Sequence, residues 1–517
     1  MSVREVELKL EIDRDEVGRL LRSPRLGELA EGRGATHSLH TVYFDTPDLA
    51  LAARGIALRV RRDGRRRVQT LKARGAERGA HFDRIEYEAP TRRDEPDLEL
   101  VPDPALRALV AEATEGAALE PVIETRIRRT RRLLRREDAL VELDVDQGEV
   151  RAGGESQPLC EVELELREGE AGALYDLALE LLEIAPLRIS TVSKADQGYA
   201  ALTGEPPAPR RATPCELDPA ATLDDALARV LDACLAQVLA NLAPAQLGRD
   251  AEGVHQMRVG VRRLRSALRF FRPVLPRAQR LLLERELRWL GRELGLVRDL
   301  DVFALEILEP LLALRPDDKG LDALHRVAKA AREERQEALR EVLRGTRFTR
   351  LALEVGRYAA RRQWRDQPVD ERSARLFAPA RLFAAALFER RDAKVRRAGA
   401  ALDELEPARL HRLRIQVKRL RYAVDLLGGL FPSRRRERYH DRLPVLQDRL
   451  GRIADLATAQ RLLALLVERV GPEVRPDCAR AAGFVEGWAT ADVARATDRL
   501  ARPWTRFTSA RPFWSEA

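Results

Sequence analysis

Five segments in the first 170 residues alternate a charged residue with an apolar one at strict two-residue spacing. Glu5, Glu7 and Lys9 alternate with Val6, Leu8 and Leu10; Arg59 and Arg61 with Leu58 and Val60; Arg84, Glu86 and Glu88 with Ile85 and Tyr87. Glu142, Asp144 and Asp146 alternate with Val141, Leu143 and Val145, and Glu161, Glu163 and Glu165 with Val162, Leu164 and Leu166. A period of two is that of a β-strand, so each segment has one apolar and one ionic face. A solvated face usually mixes Thr, Ser, Gln and Lys, whereas these runs are Glu, Asp and Arg. They point instead to a barrel whose aliphatic residues face outward against helices and whose charges line the inside. Burying so many ions costs on the order of several kcal/mol for each one left unpaired. Acid clusters facing basic clusters are the two halves of a metal–polyphosphate site: carboxylates hold a hard cation, and Arg and Lys grip phosphate oxygens.

The organisation of the chain supports two parts. Strand patterning recurs at 3–12, 40–46, 56–63, 66–74, 81–89, 124–135, 139–148 and 159–168, with helical pieces near 14–22, 104–114 and 170–185. Eight strands in one domain, 1–202, predict a closed antiparallel barrel with flanking helices. The Pro-rich stretch TGEPPAPRRATP opens a semi-rigid linker, 203–216. Beyond it, 217–505 is helical, rich in Ala, Leu, Arg and Glu at i, i+3, i+4 spacing. His255-x-x-Arg258-x-x-x-Arg262-Arg263-Leu264-Arg265 returns as His411-x-x-Arg414-x-x-x-Lys418-Arg419-Leu420-Arg421, and the same shift carries Leu294-Gly295 and Asp299 onto Leu450-Gly451 and Asp455. This predicts a duplicated helical bundle, with repeats near 217–360 and 374–505, in an α+β multidomain chain.

At 517 residues the chain exceeds a single core. No apolar run of the length of a membrane span is evident and the first residues lack a signal-peptide stretch, so the expected location is cytoplasmic, with no membrane partner. Cys160, Cys215, Cys234 and Cys478 are scattered, which indicates neither a disulfide framework nor a zinc site. The net charge of +9 favours a polyanionic partner. Only seven of the 92 basic residues are lysine, which makes each lysine informative.

Glu5-x-Glu7-x-Lys9, Tyr43-Phe44-Asp45-Thr46, Leu58-Arg59-Val60-Arg61, Lys72, Arg84-x-Glu86-x-Glu88, Glu161-x-Glu163-x-Glu165 and Ser193-Lys194-Ala195-Asp196-Gln197-Gly198-Tyr199, in that order, resemble the CYTH domain of the triphosphate tunnel metalloenzymes. The linked helical repeat is similar to a CHAD domain, a module associated with polyphosphate binding. The resemblance implies an eight-stranded tunnel and Mg²⁺- or Mn²⁺-dependent hydrolysis of inorganic triphosphate to pyrophosphate and phosphate. It also implies metal ligands among Glu5, Glu7, Glu163 and Glu165, with Glu86, Glu88 and Asp146 as further candidates. Lys9, Arg59, Arg61, Lys72, Arg84, Arg126 and Lys194 would clamp the triphosphate, and Lys9, Lys72, Arg126 and Arg129 would serve the chemistry. Within ETRIRRTRR, Arg126, Arg128 and Arg129 stand where some relatives carry a lysine credited with helping the attacking water. An arginine cannot deprotonate water, so that task would fall to a glutamate or to the metal. Cleavage of an organic triphosphate, cyclisation of a nucleotide and non-catalytic polyphosphate binding remain as alternatives.

In the helical part, His255, Arg258, Arg262 and Arg265 fall on one helix face, as do His411, Arg414, Lys418 and Arg421. Two basic stripes without acids suit a polyphosphate chain, held through charge. Few aromatics are interleaved for base stacking, which disfavours nucleic acid. The aromatic tail 501–517 caps the bundle or contacts a partner, and the sequence does not choose.

Overall fold

The computed structural model describes residues 3–73, 82–136, 138–400, 402 and 406–515, with side chains described at all of these except 3–4, 82–85, 407 and 452–457. The chain forms two compact units. One comprises Met1–Ala208, Leu242–Pro244 and Arg344–Gln363, and the other Pro209–Asn241, Ala245–Leu343 and Trp364–Ala517.

The first unit is an antiparallel sheet of nine strands: β1 (Val3–Ile12), β2 (Ala35–Asp45), β3 (Ile56–Asp63), β4 (Arg66–Ala73), β5 (Phe82–Thr91), β6 (Glu120–Arg136), β7 (Ala139–Ala152), β8 (Glu155–Glu168) and β9 (Leu187–Ser190). The order is β5-β4-β3-β2-β6-β7-β8-β1-β9. Along one edge β1 pairs with β8; along the other it pairs with β5 through residues 3–7 and with β9 through residues 9–12. The pairings therefore run through eight strands and return to β1, and the sheet curls around an inner face. The four-residue β9 is an addition to the eight expected strands, too short to show a pattern in sequence.

The aliphatic half of each alternation faces outward as its period requires. Leu8, Leu10, Val141, Leu143, Val162 and Leu164 are buried, and the helix Gly172–Ile184 lies over these strands with Leu174, Leu177 and Leu181. Each such side chain taken fully from water contributes about 2 kcal/mol. On the far side, Leu58 and Leu71 pack with Val101 and Val110. The inner face is only partly ionic, a departure from the expected all-charged lining. Leu39, Tyr43, Ile123, Ile127, Val150 and Leu159, whose positions share the inward parity, form an apolar cluster with Ala195 and Tyr199 of the helix Lys194–Thr203. Gly198 lets that helix lie directly on β6, since a Cβ there would come within 2.5 Å of Ile123.

The helix Thr346–Ala360, in the region read from sequence as the first helical repeat, packs in this first unit. The Thr349 hydroxyl accepts from the Ile189 N–H of β9 at 3.1 Å, Arg361 donates to Asp176 at 2.7 Å, and Gly356 leaves room for the Tyr175 ring.

The second unit is helical. In the helix Ala251–Phe270 the buried residues Val254, Met257, Val261, Leu264 and Leu268 correspond, at the shift of the sequence repeat, to Leu410, Leu413, Val417, Leu420 and Val424 of the helix Pro407–Leu427. Leu294 and Leu450 are likewise both fully buried. The helix is described at Asp455, but the side chain of that residue lies outside the described ones. One stretch, Leu223–Leu247, does reach the length and hydropathy of a membrane span, contrary to the reading of the sequence; 61% of its apolar window is buried inside the structure. Its apolar residues, Leu227, Val230, Leu231, Leu235 and Val238 among them, serve the core.

The aromatic tail turns inward. Phe507, Phe513 and Trp514 join Phe388, Phe431 and Tyr439 in a cluster of edge-to-face and tilted rings, and the Trp514 indole N–H donates to Glu389 at 2.9 Å. Trp514→Ala is expected to lower stability by about 3 kcal/mol or more, read as a lower urea midpoint with an unchanged slope.

Candidate active site

The strand register stacks carboxylates side by side on the inner face. Lys9 of β1 is opposite Glu163 of β8, which is opposite Asp144 of β7 and then Arg131 of β6. One row along, Glu161 is opposite Asp146, which is opposite Arg129. Like charges directly opposite are destabilising, so this arrangement needs cations inside the ring. Three supply it. Arg129 donates through Nε and Nη2 to Asp146 at 2.7 and 2.5 Å, through Nη1 to Asp144 at 2.6 Å, and again through Nη2 to Glu163 at 2.6 Å. Lys194, the first residue of its helix, bonds Glu161, Glu163 at 2.9 Å and Asp146 at 2.8 Å. Its entry is set by Ser193, whose side chain caps the helix reciprocally with Asp196. Lys9 pairs with Glu163 and lies 3.6 Å from Glu7.

Burial works against every charge here, and the partners decide the outcome. Lys194, Lys9 and Arg129 hold the Glu163 carboxyl well below the usual range, and Lys194 and Arg129 lower the pKa of Asp146. Glu161 goes the other way: burial outweighs Lys194 and Lys9 and pushes its pKa up. Lys9 and Lys194 are both held above the ordinary lysine value by these acids despite burial. One oxygen each from Asp146, Glu161 and Glu163 lies within 4.8 Å of the others, a spacing that could hold a metal ion. Two buried carboxylate oxygens near this group, Glu7 Oε1 and Glu161 Oε2, have no hydrogen-bond partner among the described residues.

A second cluster sits alongside. Lys72 bonds Glu5 at 2.6 Å and Glu86 at 3.1 Å, and Arg59 lies 3.6 Å from Glu86. Burial lowers the Arg61 pKa to about 10, with Arg59 and Arg129 adding repulsion. Buried Nε atoms of both Arg59 and Arg61 lack an acceptor among the described residues. Glu165 is partly exposed beside Arg167, and burial pushes its pKa up to about 8.

Other expected residues are placed elsewhere. Glu88 is exposed and accepts from the Thr70 hydroxyl at 3.1 Å. Arg126 is not brought to the cluster: it is an odd number of residues from Arg129, so the pleat points it outward, where it is exposed and bonds Glu124 at 2.8 Å. The same parity excludes Arg128 and selects Arg129. The side chain of Arg84 lies outside the described residues. Glu161, absent from the expected ligands, belongs to the same alternation as Glu163, and Asp144 to that of Asp146, so the signal for both was present.

In the helical unit, the helices Ala251–Phe270 and Pro407–Leu427 pack together, with the Arg262 guanidinium 5.7 Å from the Tyr422 ring centre. Arg258 and Arg265 lie over Gly295 and Gly291 of the helix Arg277–Asp301. Burial and neighbouring arginines lower the pKa of both. His255 is lowered by burial, then by Arg298, Arg258 and Arg262. The second stripe is less purely basic: His411 is exposed, and Arg421 faces Asp425 at 3.7 Å. Arg414 and Lys418 are both half-buried on that helix.

Residues 3–199 match the CYTH domain and residues 229–464 the CHAD domain. A curated relative from Haemophilus influenzae, an inorganic triphosphatase, is 31% identical over 208 residues, which are 38% of this chain and 55% of the relative. The chain thus spans about half the length of that relative. Among solved structures, the CHAD domain from the plant Ricinus communis is 32% identical with a TM-score of 0.50, covering 59% of this chain and 98% of that one. PptA from Streptomyces chartreusis is 21% identical with a TM-score of 0.42, covering 55% of this chain and 100% of that one.

Proposed function

Because this chain joins a CYTH domain to a CHAD domain, we propose that it hydrolyses inorganic triphosphate to pyrophosphate and phosphate with Mg²⁺ or Mn²⁺, and that its helical unit binds inorganic polyphosphate. The observation that carries the reading is the pair of unsatisfied sets on one inner face: buried carboxylate oxygens of Glu7 and Glu161 and guanidinium Nε atoms of Arg59 and Arg61, none with a hydrogen-bond partner among the described residues.

The acid group fits a hard divalent ion by donor type and spacing. Asp146, Glu161, Glu163 and Glu7 would hold it; when bound, such an ion polarises phosphate oxygens and lowers the pKa of a coordinated water. The chain's own residues do the rest. Arg59 and Arg61 would donate to phosphate oxygens through their Nε–H groups, which have no acceptor among the described residues, and Lys9, Lys72 and Lys194 would serve as ammonium clamps. The apolar cluster around Ile123 and Ile127 keeps water from one end of the inner face. Glu165, with its pKa near 8, suits the role of accepting a proton from the attacking water, which Arg129 cannot fill. The test is phosphate release by the full chain from tripolyphosphate, ATP and thiamine triphosphate, with each metal and with a chelator. Metal-dependent turnover favouring tripolyphosphate supports the reading, and no turnover on any of them overturns it. All four cysteines are free thiols, which fits a reducing cytoplasm.

For the helical unit, His255 predicts a pH effect. Its pKa lies below the ordinary value in the free protein because burial and three arginines disfavour a further charge. A polyanion reverses that field and raises it, so binding takes up a proton and tightens as pH falls toward 6. Calorimetry of polyphosphate binding in two buffers of different ionisation heat should show uptake, and His255→Gln should abolish it.

A further inference from the structure

The two helical repeats differ in charge at one place. At the shift that carries His255 onto His411, Arg265 corresponds to Arg421, Arg269 to Asp425 and Glu284 to His440. In the first repeat Glu284 is the acid that acts on Arg265, and Arg280 bonds to it. Those three positions carry one net positive charge. In the second repeat Arg421, Asp425 and a neutral His440 carry none, and a proton on His440 restores it.

The three groups of the second repeat stand in a row. His440, the last residue of the helix Arg434–His440, is bonded through Nε2 to one oxygen of Asp425 at 2.6 Å, and Arg421 Nε lies 3.7 Å from the other oxygen. That separation is too long for a hydrogen bond, and the Nε atom is buried with no hydrogen-bond partner among the described residues. Asp425 is held in place, because its backbone carbonyl accepts the Cys215 N–H at 3.0 Å. Asp441 also faces His440, 3.6 Å from Nδ1, and on the same helix Arg436 pairs with Glu437 at 3.4 Å. The bond to Asp425 raises the His440 pKa above its ordinary value, although burial and Arg421 oppose it.

We propose that His440 and Asp425 form a proton-controlled counter-charge to the second basic stripe: Asp425 neutralises Arg421 when His440 is neutral, and leaves its charge to a bound polyanion when His440 carries a proton. A phosphate approaching Arg421 meets the Asp425 carboxylate as a competitor of like charge, and a protonated imidazole on the far side of that carboxylate balances it. Binding therefore favours the protonated form, and affinity rises as pH falls through the His440 pKa and levels off below it. This step lies above that of His255, whose pKa is below the ordinary value. Near about pH 6 His440 is already protonated with and without ligand, so it adds nothing to the proton uptake of His255 there. This inference rests on the proposed binding of polyphosphate by the helical unit.

The test titrates the full chain with inorganic polyphosphate of defined length, at constant salt and with a chelator present so that no metal-loaded inner face competes. Wild-type affinity should rise roughly 5-fold between about pH 8 and about pH 6.5. Asp425→Asn keeps an oxygen for His440 and loses the charge, so it should bind at about pH 8 as tightly as the wild type does at about pH 6.5, with no step between. His440→Gln should hold the weaker, high-pH affinity across the same range. In an Arg421→Ala background Asp425→Asn should gain nothing, because the counter-charge then has no partner to release. A step retained in His440→Gln, or an Asp425→Asn affinity equal to wild type at the higher pH, overturns the counter-charge and leaves polyphosphate binding standing. If the wild type binds no polyphosphate at any pH, that reading fails and the counter-charge with it. Should the variants fold poorly, the His440 resonance of the wild type gives a second readout. Its titration midpoint should move up when polyphosphate saturates the protein, and an unmoved midpoint overturns the proposal.

Discussion

Glu7→Gln combined with Glu161→Gln is expected to lower metal-dependent phosphate release from tripolyphosphate by at least roughly 100-fold while the protein remains folded. Each residue holds a buried carboxylate oxygen with no hydrogen-bond partner among the described residues, and an amide fills the same volume without the charge a cation needs. Folding should tolerate the change, because burial already pushes the Glu161 pKa up and a neutral group there relieves rather than adds strain. Mn²⁺ is expected to raise the melting temperature of the wild type, and the combined variant should lose that rise. Turnover and melting both unchanged would remove this acid group from metal binding.

Arg129→Ala is expected to cost about 3–5 kcal/mol of stability, measured by urea denaturation at neutral pH. One guanidinium serves Asp144, Asp146 and Glu163, and its removal leaves three adjacent carboxylates to repel one another in a buried place. Arg129→Lys should recover only part of the loss, since a single ammonium cannot reproduce the fork that reaches three partners. The sign with pH follows from the depressed pKa values of Asp146 and Glu163. A depressed carboxylate stabilises the fold above its unfolded pKa, and that stabilisation fades as pH falls through the folded value. The difference between wild type and Arg129→Ala should therefore be largest near neutrality and shrink in acid. A difference independent of pH would mean that the guanidinium acts by packing rather than charge.

Much of the architecture was legible because periodicity is a local property. Strict alternation placed eight strands and their aliphatic faces, and the shifted His-x-x-Arg motif pointed to a second similar helix, in which the buried Val254, Met257, Val261, Leu264 and Leu268 have buried counterparts at the same shift. Charge on the alternate face of β1, β3, β7 and β8 likewise named most of the residues that now lie together. Parity was available too: it separates Arg126 from Arg129, and treating both as inward was an error of reading rather than a limit of the sequence.

Other features depend on which strand lies beside which. Nothing local in Glu163 says that Lys9, Arg129 and Lys194 will converge on it from residues 9, 129 and 194. The apolar half of the inner face is equally non-local: Ile123 and Ile127 share the inward parity of Arg129, and their apolar character is explained only by the helix Lys194–Thr203 laid against them. The helix Thr346–Ala360 shows the same limit at larger scale: its pattern is that of the helical repeat, and its buried partners are Ile189 and Tyr175. A residue's own neighbours set its secondary structure and the face it occupies. Its electrostatic partners are set by strand order and register, which are contacts between distant parts of the chain and leave no periodic mark within either part.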